Sequence, residues 1–226
     1  MPTTEWLKKE FHYGYQSGDI LATIPDEQRQ KEESVIGGSY NAFFKQGVCP
    51  LLTDNSRVLE LGPGAGTWTR ALLSVVTKGE VHTSDFQDVR QWLHPASYNG
   101  RLFCTQVNDN SFREYTDDYF DLFFSFGVLV HCNQDLISDI LHNALRKVKP
   151  GGYALHNFGD WKKLTAWGWD RGKIPTSFAH LPDDEIWWPR NTTVIMATIA
   201  KQAGWKVEKA DLKYFQRDGV ILLRRP

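Results

Sequence analysis

The feature that most constrains the fold is a β-prone segment that leads directly into a glycine-rich turn and then into a helix. Residues 56–61 (SRVLEL) have the composition of a buried strand, residues 62–66 (GPGAG) form the turn, and residues 67–76 have helical apolar spacing. Glycines in this turn allow sharp bending and let a ligand approach the backbone closely. Because the following helix presents unpaired N–H groups at its N-terminus, the unit predicts a binding site for an anionic or polar group.

The rest of the chain alternates between predicted strands and helices. Further strands are predicted at residues 80–84, 102–107, 119–126, 153–158, 206–212 and 219–223, and helices at 136–148 and 193–203. The run from Tyr119 to Phe126 is mostly apolar and aromatic, which is typical of a strand buried on both faces. We therefore expect an α/β fold with a doubly wound, seven-stranded sheet over residues 50–226 that ends in an antiparallel hairpin.

Two segments lie outside this alternation. Residues 1–49 have a mostly helical and polar pattern, and we expect them to form an N-terminal helical cap. Residues 159–192 separate a predicted strand from a predicted helix and contain five of the nine tryptophans. A connection of that length is usually functional, and it leaves from the carboxyl end of a strand, where α/β sheets bind ligands. We therefore expect residues 159–192 to be an insertion that faces the substrate.

Charge and cysteine content argue against several classes of protein. Lys and Arg total 26 against 27 Asp and Glu, which gives no basic field for binding nucleic acid. The longest apolar run is far below the roughly 20 residues that span a bilayer, so we expect a cytoplasmic protein without a leader or a membrane span. Three cysteines without a CxxC pair predict reduced thiols. We expect no metal site, because the acidic run 183–185 is more typical of a helix start.

The kind of ligand is narrowed by two residues, Asp85 and Thr67. Asp85 ends the second predicted strand about 20 residues after the turn, where a carboxylate accepts hydrogen bonds from a ribose diol. A nucleoside-bearing cofactor is therefore predicted. The dinucleotide pattern GxGxxG needs a glycine at position 67, where this chain has Thr67. The alternative is a plain strand-to-helix turn that binds nothing.

The segment ELGPGAG, from Glu60 to Gly66, resembles motif I of the class I S-adenosylmethionine-dependent methyltransferases. The resemblance covers residues 55–158 and extends to Asp85, to the pair Asn108-Asp109, to the strand Tyr119–Phe126 and to the helix end Leu145–Gly152. It implies a Rossmann-like fold, S-adenosylmethionine as the cofactor and S-adenosylhomocysteine as the product.

The resemblance also implies which residues surround the cofactor. The methionine moiety would lie among Glu60, Gly62, Gly64 and Gly66. Asp85 and Phe86 would contact the ribose and adenine, and Asn108, Asp109 and Phe126 would contact the adenine and the sulfonium side. Tyr13 and Tyr15 are placed to give a hydroxyl to the cofactor carboxylate if the cap closes. Alternatively, Asn108 and Asp109 form an ordinary turn and Phe126 belongs to the core.

Methyl transfer needs alignment of the acceptor with the methyl group and exclusion of water, without a covalent intermediate. A hydroxyl acceptor also needs a base for its proton. His131 is the first candidate, because it follows the fourth strand where the acceptor must enter. His156 and Asp160, at or just past the end of the next strand, are further candidates. Each of the three could instead be a structural polar residue.

The nature of the acceptor is suggested by two short segments, residues 126–131 and 156–160. They resemble segments of methyltransferases of polysaccharide and sugar biosynthesis. Indole rings pack on the apolar faces of sugars, and a guanidinium binds hydroxyls or phosphate. The candidate substrate residues are Trp161, Trp167, Trp188 and Arg190.

We therefore predict an enzyme that methylates a hydroxyl of a small molecule, most directly a sugar or nucleotide sugar. N-methylation of a small amine and a non-catalytic module that binds the cofactor stay open. A tryptophan-rich subsidiary core and a homodimer also stay open.

Overall fold

Seven strands in the part of the chain that the structure describes form one mixed sheet. The computed structural model describes residues 6, 9–12 and 14–226. The strands are β1 Arg57–Leu61, β2 Glu80–Asp85, β3 Leu102–Gln106, β4 Phe120–Ser125, β5 Val148–Gly159, β6 Lys206–Lys209 and β7 Asp218–Arg224. Their order is β3-β2-β1-β4-β5-β7-β6, with β7 antiparallel to both neighbours and the other pairs parallel. The predicted Rossmann-like α/β fold and its antiparallel C-terminal pair are confirmed.

Helices cover both faces of this sheet. They are α1 Glu27–Ile36, α2 Tyr40–Phe43, α3 Thr67–Val75, α4 Arg90–Leu93, α5 Gln134–Leu145, α6 Trp161–Trp167 and α7 Thr193–Gln202. The start of α5 shows how local sequence sets a boundary, because the Asn133 side chain accepts a hydrogen bond from the Leu136 amide at 2.9 Å. Its apolar positions Ile137, Ile140 and Leu141 are buried against the sheet.

Strand β4 shows why one apolar run must be buried on both sides. Phe123 packs in the cluster that includes α5 and α7, whereas the next residue, Phe124, packs in the cluster on the opposite face that includes α3. Both rings are fully buried. Because successive side chains of a strand point to opposite faces, a sheet covered by helices on both sides requires this uninterrupted apolar run.

The structure differs from the predicted elements near the end of the chain. Strand β5 begins at Val148 rather than at residue 153, because the Gly151-Gly152 segment bends within the strand and exchanges hydrogen bonds with Arg225. Strand β6 ends at Lys209 rather than at residue 212, after a register shift between Val207 and Lys209. The connection to β7 is therefore longer than the predicted short polar turn.

The two segments outside the alternation pack on the carboxyl side of the sheet. From the N-terminal segment, Tyr40 and Phe43 are buried in the same cluster as Trp68 of α3. The 159–192 insertion contains α6 and two short 3-10 turns, and it has its own apolar cluster around Leu164 and Trp188. Among the described residues, no helix is both long and apolar enough to cross a membrane.

We expect Phe123→Ala to lower the free energy of unfolding by about 3–5 kcal/mol, because the ring is fully buried and its removal leaves a cavity. Phe103→Ala on the edge strand β3 is the matched control. Its ring is 41% exposed, so the expected loss is below about 1 kcal/mol. Urea denaturation followed by circular dichroism measures both values, and equal losses would contradict the packing described for β4.

Candidate functional site

A cavity of about 710 Å³ lies at the carboxyl ends of β1 and β4. At this place the sheet order reverses, because the chain continues from β1 to β2 on one side and from β4 to β5 on the other. Such a switch point leaves a crevice in which α/β folds bind ligands. The cavity walls come from the glycine turn, the end of β2, the loop after β4, the N-terminal segment and the insertion.

The glycine turn fits only glycine at its critical positions. Gly62, Gly64 and Gly66 have φ angles of 66°, 54° and 86°, in the left-handed region. A Cβ atom at Gly64 would lie 2.5 Å from the Tyr15 carbonyl oxygen, and one at Gly62 would lie 2.5 Å from Val128 Cγ2. Gly62 and Gly64 line the cavity, whereas Gly66 packs against Leu93 outside it.

Asp85 stands at the end of β2 with its carboxylate at the cavity wall. One oxygen accepts a hydrogen bond from the Gln87 amide at 2.9 Å. Burial raises the pKa of Asp85 to about 6, so the group is mostly ionised at pH 7. Phe86 lies beside it in the wall. This end of the cavity can therefore accept hydrogen bonds from vicinal hydroxyls next to an apolar ring.

Glu60 does not line the cavity, contrary to its predicted place beside the methionine moiety. Its side chain is 1% exposed and accepts a hydrogen bond from the Thr69 hydroxyl at 2.6 Å. Burial raises its pKa to about 8, so the carboxyl is largely neutral at pH 7. Because strand residues alternate in direction, Glu60 points beneath the turn and connects β1 to α3.

The pair Asn108 and Asp109 is also absent from the cavity wall. Both residues are exposed, and Asp109 caps the local turn at the Ser111 amide and pairs with Arg113 at 3.3 Å. The chain turns outward after β3, so the neighbouring Val107 and Asn110 reach the cavity instead. Asn108 and Asp109 therefore form an ordinary turn, which was the alternative to contact with the adenine.

Phe126 and Tyr15 do reach the cavity. Phe126 lines it and at the same time packs against Trp68, with 4.4 Å between ring centroids. The Tyr15 side chain lines the wall while its carbonyl oxygen accepts from the Ala65 amide of the glycine turn at 2.9 Å. Burial and the neighbouring Glu32 raise the pKa of the Tyr15 hydroxyl well above its usual value. The prediction for Tyr13 lies outside the described residues.

His131 lies in the wall at the end of a 3-10 turn, Leu129–His131. Its Nδ1 atom is 2.8 Å from the carbonyl oxygen of Trp187. Because a carbonyl only accepts, Nδ1 must carry the hydrogen, and the lone pair is left on Nε2. Burial lowers the pKa of His131 below its usual range, so the ring is neutral at pH 7. The ring therefore meets the requirements of a proton acceptor.

The other two candidate bases lie in the scaffold. His156 is fully buried on β5, where its Nδ1 is 2.7 Å from the Ser125 hydroxyl, and burial lowers its pKa to about 3. Asp160 caps α6 through the Lys162 amide and accepts two further hydrogen bonds from Thr193. Neither side chain lines the cavity, because His156 alternates in direction with its neighbour Asn157, which does line it, and the Asp160 carboxylate is used as a helix cap.

Most of the predicted substrate residues build the insertion itself. Trp161 donates to the Pro189 carbonyl at 3.2 Å, and Trp167 donates to the Val35 carbonyl at 2.9 Å. Arg190 pairs with Asp183 and lies 4.5 Å from the Trp161 ring centroid. None of these three lines the cavity, whereas Trp188 does, together with the unpredicted Trp187.

The sequence analysis missed a polar network that joins three elements at the cavity. Asn157 Nδ2 donates to Asp218 at 3.0 Å, and Asn157 Oδ1 accepts from the Gly127 amide at 2.7 Å. Arg217 Nε donates to Asp218 at 2.7 Å. Asn157, Arg217 and Asp218 line the cavity, as does Tyr40, which is also absent from the predicted set. The only sequence signal was polarity next to predicted strands, which is common in loops.

Comparison with known proteins agrees with this geometry. Residues 58–152 match the model of a family described as a methyltransferase domain. The PH0226 protein from Pyrococcus horikoshii superimposes with a TM-score of 0.64 at 16% identity, over 97% of this chain and 99% of that one. A SAM dependent methyltransferase from Aquifex aeolicus gives 0.60 at 16% identity, over 82% and 93%.

The mitomycin 7-O-methyltransferase MmcR gives a TM-score of 0.58 at 14% identity, over 83% of this chain. The chain spans only 53% and 55% of the length of some matched structures, including that enzyme. No curated protein matches the sequence closely enough to count as a relative. These identities establish the fold alone, and the domain match over residues 58–152 agrees with it. The domain match, the sheet order and the cavity at its switch point together support an S-adenosylmethionine-dependent methyltransferase enzyme.

Proposed function

We propose that the protein transfers a methyl group from S-adenosylmethionine to a hydroxyl of a small-molecule acceptor, with a sugar or glycan precursor as the acceptor class. The observation that carries this proposal is the fixed tautomer of His131, which leaves a neutral nitrogen lone pair at the cavity wall. A hydroxyl must lose its proton on methylation, and a neutral histidine at the acceptor end is a suitable base for that proton.

The residues of the cavity fit the cofactor by their chemistry. Asp85 offers a carboxylate for the ribose hydroxyls, and Phe86 and Val107 offer apolar contacts for the adenine. Gly62 and Gly64 line the cavity and have no side chains, so Val128 and the Tyr15 carbonyl can pack closely against the turn. When bound, the cofactor supplies an electrophilic methyl group on a sulfonium. The chain itself has to bind the cofactor and the acceptor, orient them and exclude water.

In the proposed reaction, His131 accepts the proton of the acceptor hydroxyl at Nε2. The Trp187 carbonyl holds the ring in place through Nδ1–H, and the hydrogen bond keeps the correct tautomer. Around this point Phe11 and Trp187 cover the imidazole, with ring centroids 5.5 and 5.9 Å away. These rings reduce access of water to the acceptor site.

A sugar-type acceptor is supported by Trp187 and Trp188, which line the same cavity as the polar groups of Glu32 and Arg217. Apolar rings beside hydrogen-bonding groups suit a molecule with apolar faces and a hydroxylated rim. Trp161, Trp167 and Arg190 give no support to this class, because they lie outside the cavity. An amine acceptor and a non-catalytic role remain the alternatives that the experiments below separate.

We expect Asp85→Ala to weaken binding of S-adenosylhomocysteine by about 1–3 kcal/mol, through loss of the ribose hydrogen bonds. Asp88→Ala is the matched control, because Asp88 is an exposed carboxylate that pairs with Arg90 at 2.7 Å outside the cavity. Calorimetric titration gives both dissociation constants. If Asp85→Ala binds as tightly as the wild type, Asp85 does not hold the cofactor.

The same titration has an expected pH dependence. Since burial raises the pKa of Asp85 to about 6, the ionised form that accepts the ribose hydrogen bonds is lost as the pH falls through that value. Affinity for S-adenosylhomocysteine should therefore be constant above pH 7 and decrease between pH 7 and 5. In Asp85→Asn this decrease should be absent. If the affinity of that variant decreases with pH as in the wild type, the assignment is contradicted.

We expect His131→Ala to lower kcat by about 10²–10⁴-fold, which is the usual contribution of a general base. Binding of S-adenosylhomocysteine should stay within about twofold of the wild type. In the wild type, the rate should decrease as the pH falls through the lowered pKa of His131, and the variant should lose this dependence. His142→Ala on the exposed side of α5 is the control.

The acceptor class is tested with S-adenosylmethionine that carries a tritiated methyl group. Free sugars and nucleotide sugars form one panel, and small primary and secondary amines form the other. Label transfer to the sugars that depends on His131 supports the proposal. Transfer to amines alone, at a rate that His131→Ala does not change, favours the N-methyltransferase alternative. Tight cofactor binding without transfer in either panel favours the non-catalytic module.

A further inference from the structure

A cluster of four polar side chains, Glu32, Tyr40, Arg217 and Asp218, lines the cavity on the side of the insertion. We name it the Arg217 cluster. Burial is the main cause that raises the pKa of Tyr40; the charge of Glu32 raises it further and that of Arg217 lowers it, so both charges lie within electrostatic reach of the Tyr40 hydroxyl. The same two charges act on the Tyr15 hydroxyl.

Arg217 is held rigidly and still has free donors. Its Nε and Nη2 atoms donate to the two oxygens of Asp218 at 2.7 and 3.2 Å, and its Nη1 atom donates to the Gly172 carbonyl at 3.1 Å. The guanidinium lies 4.4 Å from the Trp188 ring centroid. A guanidinium has five N–H donors, so two remain available among the described contacts. Because Asp218 is fully buried, the pair cannot separate without leaving an unpaired charge.

The Tyr40 hydroxyl is the second observation that indicates a ligand. The side chain is 3% exposed and lines the cavity, yet its hydroxyl has no hydrogen-bond partner among the described residues. This hydroxyl is not among the fully buried unpartnered atoms, so it is open to the cavity, where a bound molecule can complete its hydrogen bonds. Tyr40 is held in place by rings on several sides, including Trp68 and Phe126 at 5.6 and 5.2 Å. It therefore presents a fixed donor to the cavity.

The charge of the cavity argues for a neutral ligand at this cluster. Among the described lining residues, three basic side chains face four acidic ones: Lys31, Lys173 and Arg217 against Glu10, Glu32, Asp85 and Asp218. An anionic acceptor would add charge of the sign already in excess, next to Glu32 and Asp218. A neutral molecule with hydroxyls can instead accept from Arg217 and Tyr40 and donate to Glu32.

We propose that the Arg217 cluster binds a vicinal diol of the methyl acceptor, with the free N–H groups of Arg217 and the Tyr40 hydroxyl donating to the two diol oxygens and Glu32 accepting from one of them. The diol thus holds the acceptor while a further hydroxyl of the same molecule faces His131. This inference rests on the proposed function, because it assumes that the acceptor is a polyhydroxylated small molecule.

The experiment measures binding of simple sugars to the full chain saturated with S-adenosylhomocysteine. The probes are the methyl pyranosides of glucose, galactose and mannose, their 2-deoxy, 3-deoxy and 4-deoxy counterparts, and methyl glucuronide as the anionic analogue. Ligand-observed NMR titration gives the dissociation constants. We expect at least one pyranoside to bind, and removal of one hydroxyl of the recognised pair to weaken it about tenfold.

Variants test which residues bind the diol. Tyr40→Phe removes only an unpartnered hydroxyl and should fold like the wild type, and Arg217→Lys keeps the charge but loses the planar fork. In both variants the tenfold preference for the intact diol should shrink to about twofold or less. Tyr98→Phe, at a half-buried position outside the cavity, is the matched control and should keep the full preference.

Several results would overturn the inference. They are a preference that survives both variants, the absence of binding by every neutral pyranoside, and tighter binding of the glucuronide, which would make the cluster an anion site. A further contrary result would be that the two variants bind S-adenosylhomocysteine more weakly than the wild type does but bind 5′-methylthioadenosine, which lacks the amino-acid tail, equally well. The cluster would then hold the cofactor tail. Failure of the proposed function is separate, because it shows as absent binding of S-adenosylhomocysteine to the wild type.

Discussion

The left-handed backbone of the glycine turn is the constraint on which the rest of the site depends. With φ angles of 66° and 54° and no Cβ atoms, Gly62 and Gly64 let the Tyr15 carbonyl and Val128 approach within a distance that any side chain would block. The N-terminal segment can therefore cross the turn and bond to Ala65, and the loop after β4 can come close on the other side. The crevice arises from the strand order, and both segments can close around it because Gly62 and Gly64 have no side chains.

Features that depend on local sequence were predictable. The periodicity of residues 136–148, the apolar run of β4 and the glycine turn each involve neighbours in the chain, so their elements and the sheet class follow from the sequence. The same holds for Asp85, whose place is set by the end of its own strand. His131 was found for a similar reason, because a residue just after a central strand must lie at the carboxyl edge of the sheet.

Features that depend on contacts between distant segments were not predictable. Asn157 meets Asp218 only because β5 and β7 pair in antiparallel register, with Asn157 opposite Val220. The insertion is rich in tryptophan, as sugar-binding sites are. However, the indole N–H groups of Trp161 and Trp167 donate hydrogen bonds to the carbonyls of Pro189 and Val35. Whether an indole faces a ligand or a neighbouring loop is decided by packing, and composition alone carries no information about it. His156 does not reach the cavity because it faces Ser125 while its strand neighbour Asn157 lines the cavity, and Asp160 does not because its carboxylate caps α6 and bonds to Thr193.

The central claim is that the glycine turn and Asp85 form a site for an S-adenosyl cofactor. Calorimetric titration of the purified protein with S-adenosylhomocysteine, with NADH as a control, tests it most directly. The account predicts a dissociation constant on the order of 10 μM or tighter for S-adenosylhomocysteine, and no measurable heat from NADH. Absence of binding by S-adenosylhomocysteine, or equal binding by NADH, would contradict the account.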